Sequence, residues 1–165
     1  MRSIFALFLA LFGLIAAPPI VSAKDPDFLA NRWVVILSVY NTFDAAHSDA
    51  KKIAKASNIQ FSMRGRVFDK KRGLIYPDNF DDEIFRGQYS ARRYHKAVLK
   101  VGEEQSEYLS VERSEGYDGF RKNLYLVVAG IHDSPAAAQA QAQQFAKWAP
   151  TAYAKKTKIY MGCLH

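Results

Sequence analysis

The chain has one cysteine in 165 residues. Cys163 cannot close a disulfide within the chain, so the fold has to hold by packing, and the lone thiol is either buried or available to a partner. Metal chemistry is equally thin. Cys163 and His165, joined by His132, give a Cys-x-His spacing with no second ligand pair. There is no Gly-x-Ser-x-Gly elbow and no phosphate loop. Nothing in the sequence positions Cys163 against a histidine as an activated thiol. The acidic run Asp81-Asp82-Glu83 reads as solvated loop. These absences leave no catalytic constellation, no cofactor and no metal site, and they favour a non-catalytic protein over an enzyme.

Acidic residues are also in deficit, 16 against 23 Lys and Arg, for a formal charge of +7. Long apolar runs are missing with one exception. Ile4 to Ala17 is apolar apart from Gly13, follows Arg2, and is closed by Pro18-Pro19 and the small residues Val21-Ser22-Ala23. That order is the logic of a cleaved secretory signal, residues 1–23, cut after Ala23. The run falls short of the roughly 20 residues that cross a bilayer, so no transmembrane span is expected after cleavage. No cysteine near the cut offers a site for lipid attachment. The expected location is periplasmic or secreted. An exported basic protein meets anionic polymers, and charge alone does not choose among wall glycans, acidic polysaccharides, lipid headgroups and stray nucleic acid.

What the remaining chain does have is a stretch that occurs twice. Residues 33–68 (WVVILSVYNTFDAAHSDAKKIAKA…) align without a gap on residues 125–160 (YLVVAGIHDSPAAAQAQAQQFAKW…). Val35 meets Val127, Ala46 meets Ala138, Ala50 meets Ala142, Ala54 meets Ala146 and Lys55 meets Lys147. The tails agree in kind: Phe61 with Tyr153, Arg66 with Lys158, Phe68 with Tyr160. Each copy reads strand, helix, strand. Trp33–Tyr40 and Tyr125–Ile131 are rich in β-branched residues. Thr42 and Ser134-Pro135 are helix starts. Ala46, Ala50, Ile53 and Ala54 share one helical face, as do Ala138, Ala142, Phe145 and Ala146. Pro150 stops the second helix, and Phe61–Phe68 and Tyr153–Met161 close the two copies.

Two such copies give β-α-β-β-α-β within a single domain, 24–165. The fold class is α+β, ferredoxin-like: a four-stranded antiparallel sheet with two helices on one face. The intervening residues 69–124 are an insert rich in charge and aromatics, too aromatic for disorder, with a hairpin expected from Tyr94–Val101 and Glu107–Glu112.

Two tandem units of this kind, above all LYLVVAGIHDSPAAAQAQAQQFAKWAPTAYAKKTKIYMG at 124–162, resemble the sporulation-related repeat (SPOR) domain family. The resemblance skips the insert. It implies a non-catalytic, wall-associated module of the cell envelope that acts in division or wall remodelling and binds peptidoglycan glycan strands, favouring those stripped of stem peptides. One departure stands out. The family's first strand often ends in a Gln-x-Gly-Ser-Phe-like run. Here Ile36 and Ser38 hold the glutamine and glycine positions, and only the second copy keeps the glycine, as Gly130.

Strand alternation places Ser38, Tyr40, Arg66, Phe68, Gly130, His132, Lys158 and Tyr160 on the sheet face away from the helices. That is a candidate glycan surface of rings that stack on sugars and cations that pair with a muramic acid carboxylate. The same face also carries Val34, Ile36, Leu126 and Val128, and a sheet apolar on both sides is usually covered on both. If the insert covers it, the groove moves to the insert's edge, where Arg92, Arg93 and Tyr94 form a second candidate patch. An alternative role is an envelope scaffold whose insert docks a protein partner. Nucleic acid is not expected, because the chain is exported and the aromatic ribonucleoprotein strand motif is absent.

Overall fold

The computed structural model describes residues 29–92 and 108–160. The expected signal segment, Arg93, Tyr94, Cys163 and the first arm of the expected hairpin lie outside the described residues. Seven strands and two helices follow in order: β1 (Leu29–Tyr40), α1 (Phe43–Ser57), β2 (Gln60–Phe61), β3 (Val67–Asp69), β4 (Gly73–Ile75), β5 (Tyr108–Arg113), β6 (Tyr125–His132), α2 (Pro135–Phe145) and β7 (Tyr153–Tyr160). The fold is α+β, built on a mixed five-stranded sheet in the order β2-β5-β6-β1-β7, with β3 and β4 as a separate hairpin.

The helices begin and end where local chemistry dictates. Thr42 and Ser134 are the N-caps, each extended, each accepting a hydrogen bond from the backbone N–H three residues on. Asn58 ends α1 in the left-handed conformation, φ 57°. The second helix stops at Phe145, ahead of Pro150, where the Ala146 amide turns to the Gln143 carbonyl and the Trp148 amide to the Phe145 carbonyl, each three residues back. Ala46, Ala50, Ile53 and Ala54 are buried as their spacing predicts. In α2, Ala138, Ala142 and Phe145 are buried, but Gln141 takes the place expected of Ala146, which is exposed. Both helices pack on one face of the sheet, against Val35, Leu37, Val127 and Ala129. The alanines let the helix axes come close, as small side chains at a contact do.

Two features depart from the expected four antiparallel strands. First, where a strand is expected over 61–68 the structure has only Gln60–Phe61. Arg64 and Gly65 both adopt positive φ, 52° and 83°, and break it. The Phe80 ring then packs so close to Gly65 that an added Cβ would lie 2.6 Å from it. Second, the place beside β6 goes to β5, from the insert, pairing antiparallel through Ser110–Val128 to Arg113–Tyr125. The short β2 joins outside β5 in parallel.

The face away from the helices is sealed. Val34, Ile36, Leu126, Val128 and Ile159 are buried there with Tyr117 of the insert, flanked by Ala91 and Phe120. The segment that covers it is tied to β7: Thr157 Oγ1 donates to the Asp118 carbonyl at 2.9 Å and Lys155 Nζ to the Gly119 carbonyl at 2.5 Å. The insert is therefore a lid on the sheet, and that face offers no open surface.

Alternation itself fails at two points. Between β1 and β6 the register passes from Val35↔Gly130 to Ile36↔Val128 and then Ser38↔Val127. Ala129 and Leu37 are thus one extra residue each, on opposite strands. Such bulges re-aim every side chain beyond them. Gly130, His132, Ser38 and Tyr40 consequently turn to the helix side.

At Gly130 the helix side is fully occupied: an added Cβ would collide with the Gln141 carboxamide. We expect Gly130→Ala to lower the urea midpoint by the equivalent of about 1–3 kcal/mol, the usual range for forced overpacking. Adding Gln141→Ala should recover part of it. A wild-type midpoint in the single variant would show that the carboxamide is not confined.

Candidate functional site

The eight candidate residues do not converge. Ser38 Oγ donates to Asp49 Oδ2 of α1 at 2.6 Å. Tyr40 packs on the helix-side core. Burial, then a hydrogen bond with Asp49, pushes its hydroxyl pKa up. His132 Nε2 lies 2.9 Å from Gln141 Oε1, also on the helix side. On the edge strand β7, Thr157 and Ile159 face the insert, so Lys158, exposed, and Tyr160, half-buried, lie on the helix side and not on the opposite face expected of them. Phe68 is 39% exposed and lies on the separate hairpin, its ring stacked on Phe43 at 4.5 Å and 2°.

Arg66 is the largest correction. It is 4% exposed and forms a bidentate pair with Glu112, itself 0% exposed. The two contacts are 2.5 and 2.6 Å. Arg66 Nε also donates to the Met63 carbonyl and Nη1 to that of Ser90. The Arg92 amide and Tyr89 hydroxyl donate to Glu112 Oε2 at 3.0 and 3.1 Å. Burial opposes the charged form of Glu112, but Arg66 and the surrounding donors outweigh it, and its pKa lies below the ordinary value. Burial, and then the Glu112 charge, push the Tyr117 and Tyr89 hydroxyls well up. Arg92 is not a free cation either. Its guanidinium sits 3.8 Å from the Tyr108 ring centroid and donates to the Tyr108 carbonyl.

What sequence reasoning missed lies at the other end of the insert. A cleft of about 330 Å³ opens between the β3–β4 hairpin and the ends of β5 and β6. Its walls carry Lys70, Lys71, Arg72 and Arg113 beside Phe68 and Tyr125, with Asn41, Asn123 and one carboxylate, Glu115.

The hairpin turn is preset. Asp69 Oδ1 accepts from the amides of Lys71 and Arg72, both at 2.8 Å. Those two donors hold its pKa below the usual range. Gly73 completes the turn at φ 78°. There an L-residue would be strained. Arg72 grips Asp78 with two hydrogen bonds, 2.8 and 3.1 Å. Opposite, Arg113 Nη1 donates to the Arg72 carbonyl at 3.4 Å, and its Nε lies 3.5 Å from Glu115. Lys70 and Lys71 are exposed and make no salt bridge among the described residues. Phe43, Phe68 and Tyr125 form a small ring cluster at the base. Such a site can hold an anion beside a flat apolar face.

Family models, curated proteins and solved structures yield no match to this chain. The site is therefore read from its own chemistry. Among the described residues no three or more of His, Cys, Asp and Glu are grouped so that they could hold a metal ion, and no helix is long and apolar enough to cross a membrane. The signal that pointed to the cleft was in the sequence: Phe68 followed by Lys70-Lys71-Arg72. In the sequence these residues look like the end of a strand and the start of an insert; in the structure they form a hairpin.

The buried pair makes a sharp prediction. Glu112→Ala strands the Arg66 guanidinium and should cost about 3–5 kcal/mol. Replacing both residues with apolar ones of similar size should cost less. Because the folded pKa of Glu112 is depressed, its contribution is fully present above the ordinary carboxylate range. It is lost as pH falls through the folded value. Denaturation midpoints measured from pH 7 down to 3 check this: the wild type should lose stability below the ordinary range more steeply than the double variant. Parallel profiles would refute the assignment.

Proposed function

We propose that the protein is an exported, non-catalytic binding module that holds peptidoglycan glycan strands in the cell envelope, using the basic cleft beside Phe68 and Tyr125. The cleft is the observation that carries this reading: four cations and one carboxylate around two aromatic rings. A muramic acid unit presents a lactyl carboxylate for the lysines and Arg113, and an apolar ring face for Phe68. The secretory signal and the resemblance to SPOR domains support an envelope location.

The same reading treats the two β-α-β halves as a duplicated, ferredoxin-like unit. Its support is the matched caps Thr42 and Ser134 and the matched buried alanines 46 with 138 and 50 with 142. On this view the insert took over the exposed sheet face, and ligand contact moved from that face to the hairpin edge. The alternative, a scaffold whose insert docks an envelope protein, is favoured by one feature: Ile84 is 76% exposed on the insert's 3-10 turn.

Co-sedimentation with purified sacculi tests the proposal. We expect Lys70→Glu with Lys71→Glu to weaken retention on the order of tenfold or more, equivalent to about 1.4 kcal/mol per decade, with unchanged far-ultraviolet circular dichroism. Phe68→Ala should weaken it while leaving the salt dependence intact, since a ring carries no charge to screen. Ile84→Asp should leave it unchanged. Amidase-treated walls should bind more protein than untreated ones. If the double glutamate variant pellets like the wild type, the cleft is not the site.

A further inference from the structure

A second groove, of about 400 Å³, lies on the helix side between α2 and the start of β7. Its walls differ in kind from the basic cleft. Trp33 of β1 and Tyr153 of β7 supply two aromatic rings, Gln139 and Gln143 of α2 supply two carboxamides, and Ala142 and Ala146 lie among them. No charged residue lines it. The reason is visible in the chain: α2 carries no charge from Pro135 to Phe145, whereas α1 carries Asp44, Asp49, Lys51, Lys52 and Lys55. Gln139 and Gln143 are four apart and so share one face. Both are exposed, Tyr153 is 39% exposed, and none of the three side chains has a hydrogen-bond partner among the described residues.

We infer that this groove is a binding site for a neutral N-acetylated amino sugar. A pocket of this size, with aromatic walls and a few convergent polar groups, suits a small ligand. An absence of charge in a strongly basic protein selects an uncharged one. A pyranose ring offers an apolar face to Trp33 and Tyr153. Its hydroxyls and acetamido group both donate and accept, which matches carboxamides that also do both. A polyproline segment, the other ligand that aromatic grooves take, has no backbone N–H at proline and would leave the carboxamide oxygens unpaired. The inference rests on the glycan reading only for the choice of an acetamido sugar. It adds a seat for the uncharged unit to the cleft that takes the charged one.

The experiment is a nuclear magnetic resonance titration of the folded protein with neutral N-acetylglucosamine oligomers. Saturable shifts are expected at the Trp33 indole N–H and the Gln139 and Gln143 side-chain amides. Gln139→Ala with Gln143→Ala, two exposed positions, should weaken the titration on the order of tenfold. Lys70→Glu with Lys71→Glu should leave it unchanged, so failure of the basic cleft and failure of this groove are distinguishable. No shift at millimolar oligomer, or displacement of the sugar by a proline-rich peptide that moves the same resonances more strongly, would overturn the assignment.

Discussion

The Arg66–Glu112 pair is the constraint on which the rest of the structure depends. It joins residues 46 apart in sequence. With its hydrogen bonds to Met63, Ser90 and Arg92 it draws the segment after β2, the chain at Ser90–Arg92 and β5 into one network. Taking two charges out of water costs several kcal/mol per ion, and mutual attraction offsets that only where geometry and extra donors are good. Here both guanidinium nitrogens face both carboxylate oxygens, and Tyr89 and the Arg92 amide satisfy Glu112 further. The net gain in stability is modest by this reasoning. A seating of the insert that kept one of these charges buried without the other would cost several kcal/mol, and the pair favours the observed seating to that extent.

That seating decides where a ligand can and cannot go. With Glu112 on the β5 face that looks away from the helices, the insert is drawn over Val34, Ile36, Leu126 and Val128, and Tyr117 closes the gap. A surface of that apolarity would not stand open in water. The same tether leaves the β3–β4 hairpin projecting at the sheet's end. There Asp69 and Arg72 hold its turn, and Lys70 and Lys71 stay in solvent. Covering one face and exposing one edge are two results of a single anchoring.

The local parts of this fold were legible in the sequence; the long-range parts were not. Thr42, Ser134 and the alanine faces of both helices announce themselves because capping and helical periodicity are properties of a few neighbouring residues. Val34, Ile36, Leu126 and Val128 signalled a face needing cover, and cover is what the insert provides. Arg66 was misread because it alternates correctly in an apparent strand, while its partner sits in a different segment and the strand is broken just before it by Arg64 and Gly65. Gly130, His132, Ser38 and Tyr40 were assigned to the wrong face for a subtler reason. The bulges at Leu37 and Ala129 each add one residue, and a period-2 argument has no means of counting residues that do not pair. The second bulge also explains Gly130, which is small because Gln141 fills the space beside it.

The charge distribution gives the hairpin cleft and the α2 groove opposite characters, and this bears on what kind of ligand fits both. The protein is basic overall, yet no charged side chain lines the groove between α2 and the start of β7, while four cations line the cleft at the hairpin. A uniformly anionic polymer such as nucleic acid would gain nothing from the uncharged groove, since each phosphate placed there would lose hydration without a cation to replace it. A uniformly neutral one would gain nothing from Lys70, Lys71 and Arg113. A chain that alternates a carboxylate-bearing sugar with a neutral acetamido sugar can use both, the first for attraction at a distance and the second for close contact with rings. Screening by salt would then weaken capture at the hairpin and spare contact at the groove, so the two parts of such a surface answer to different conditions in solution.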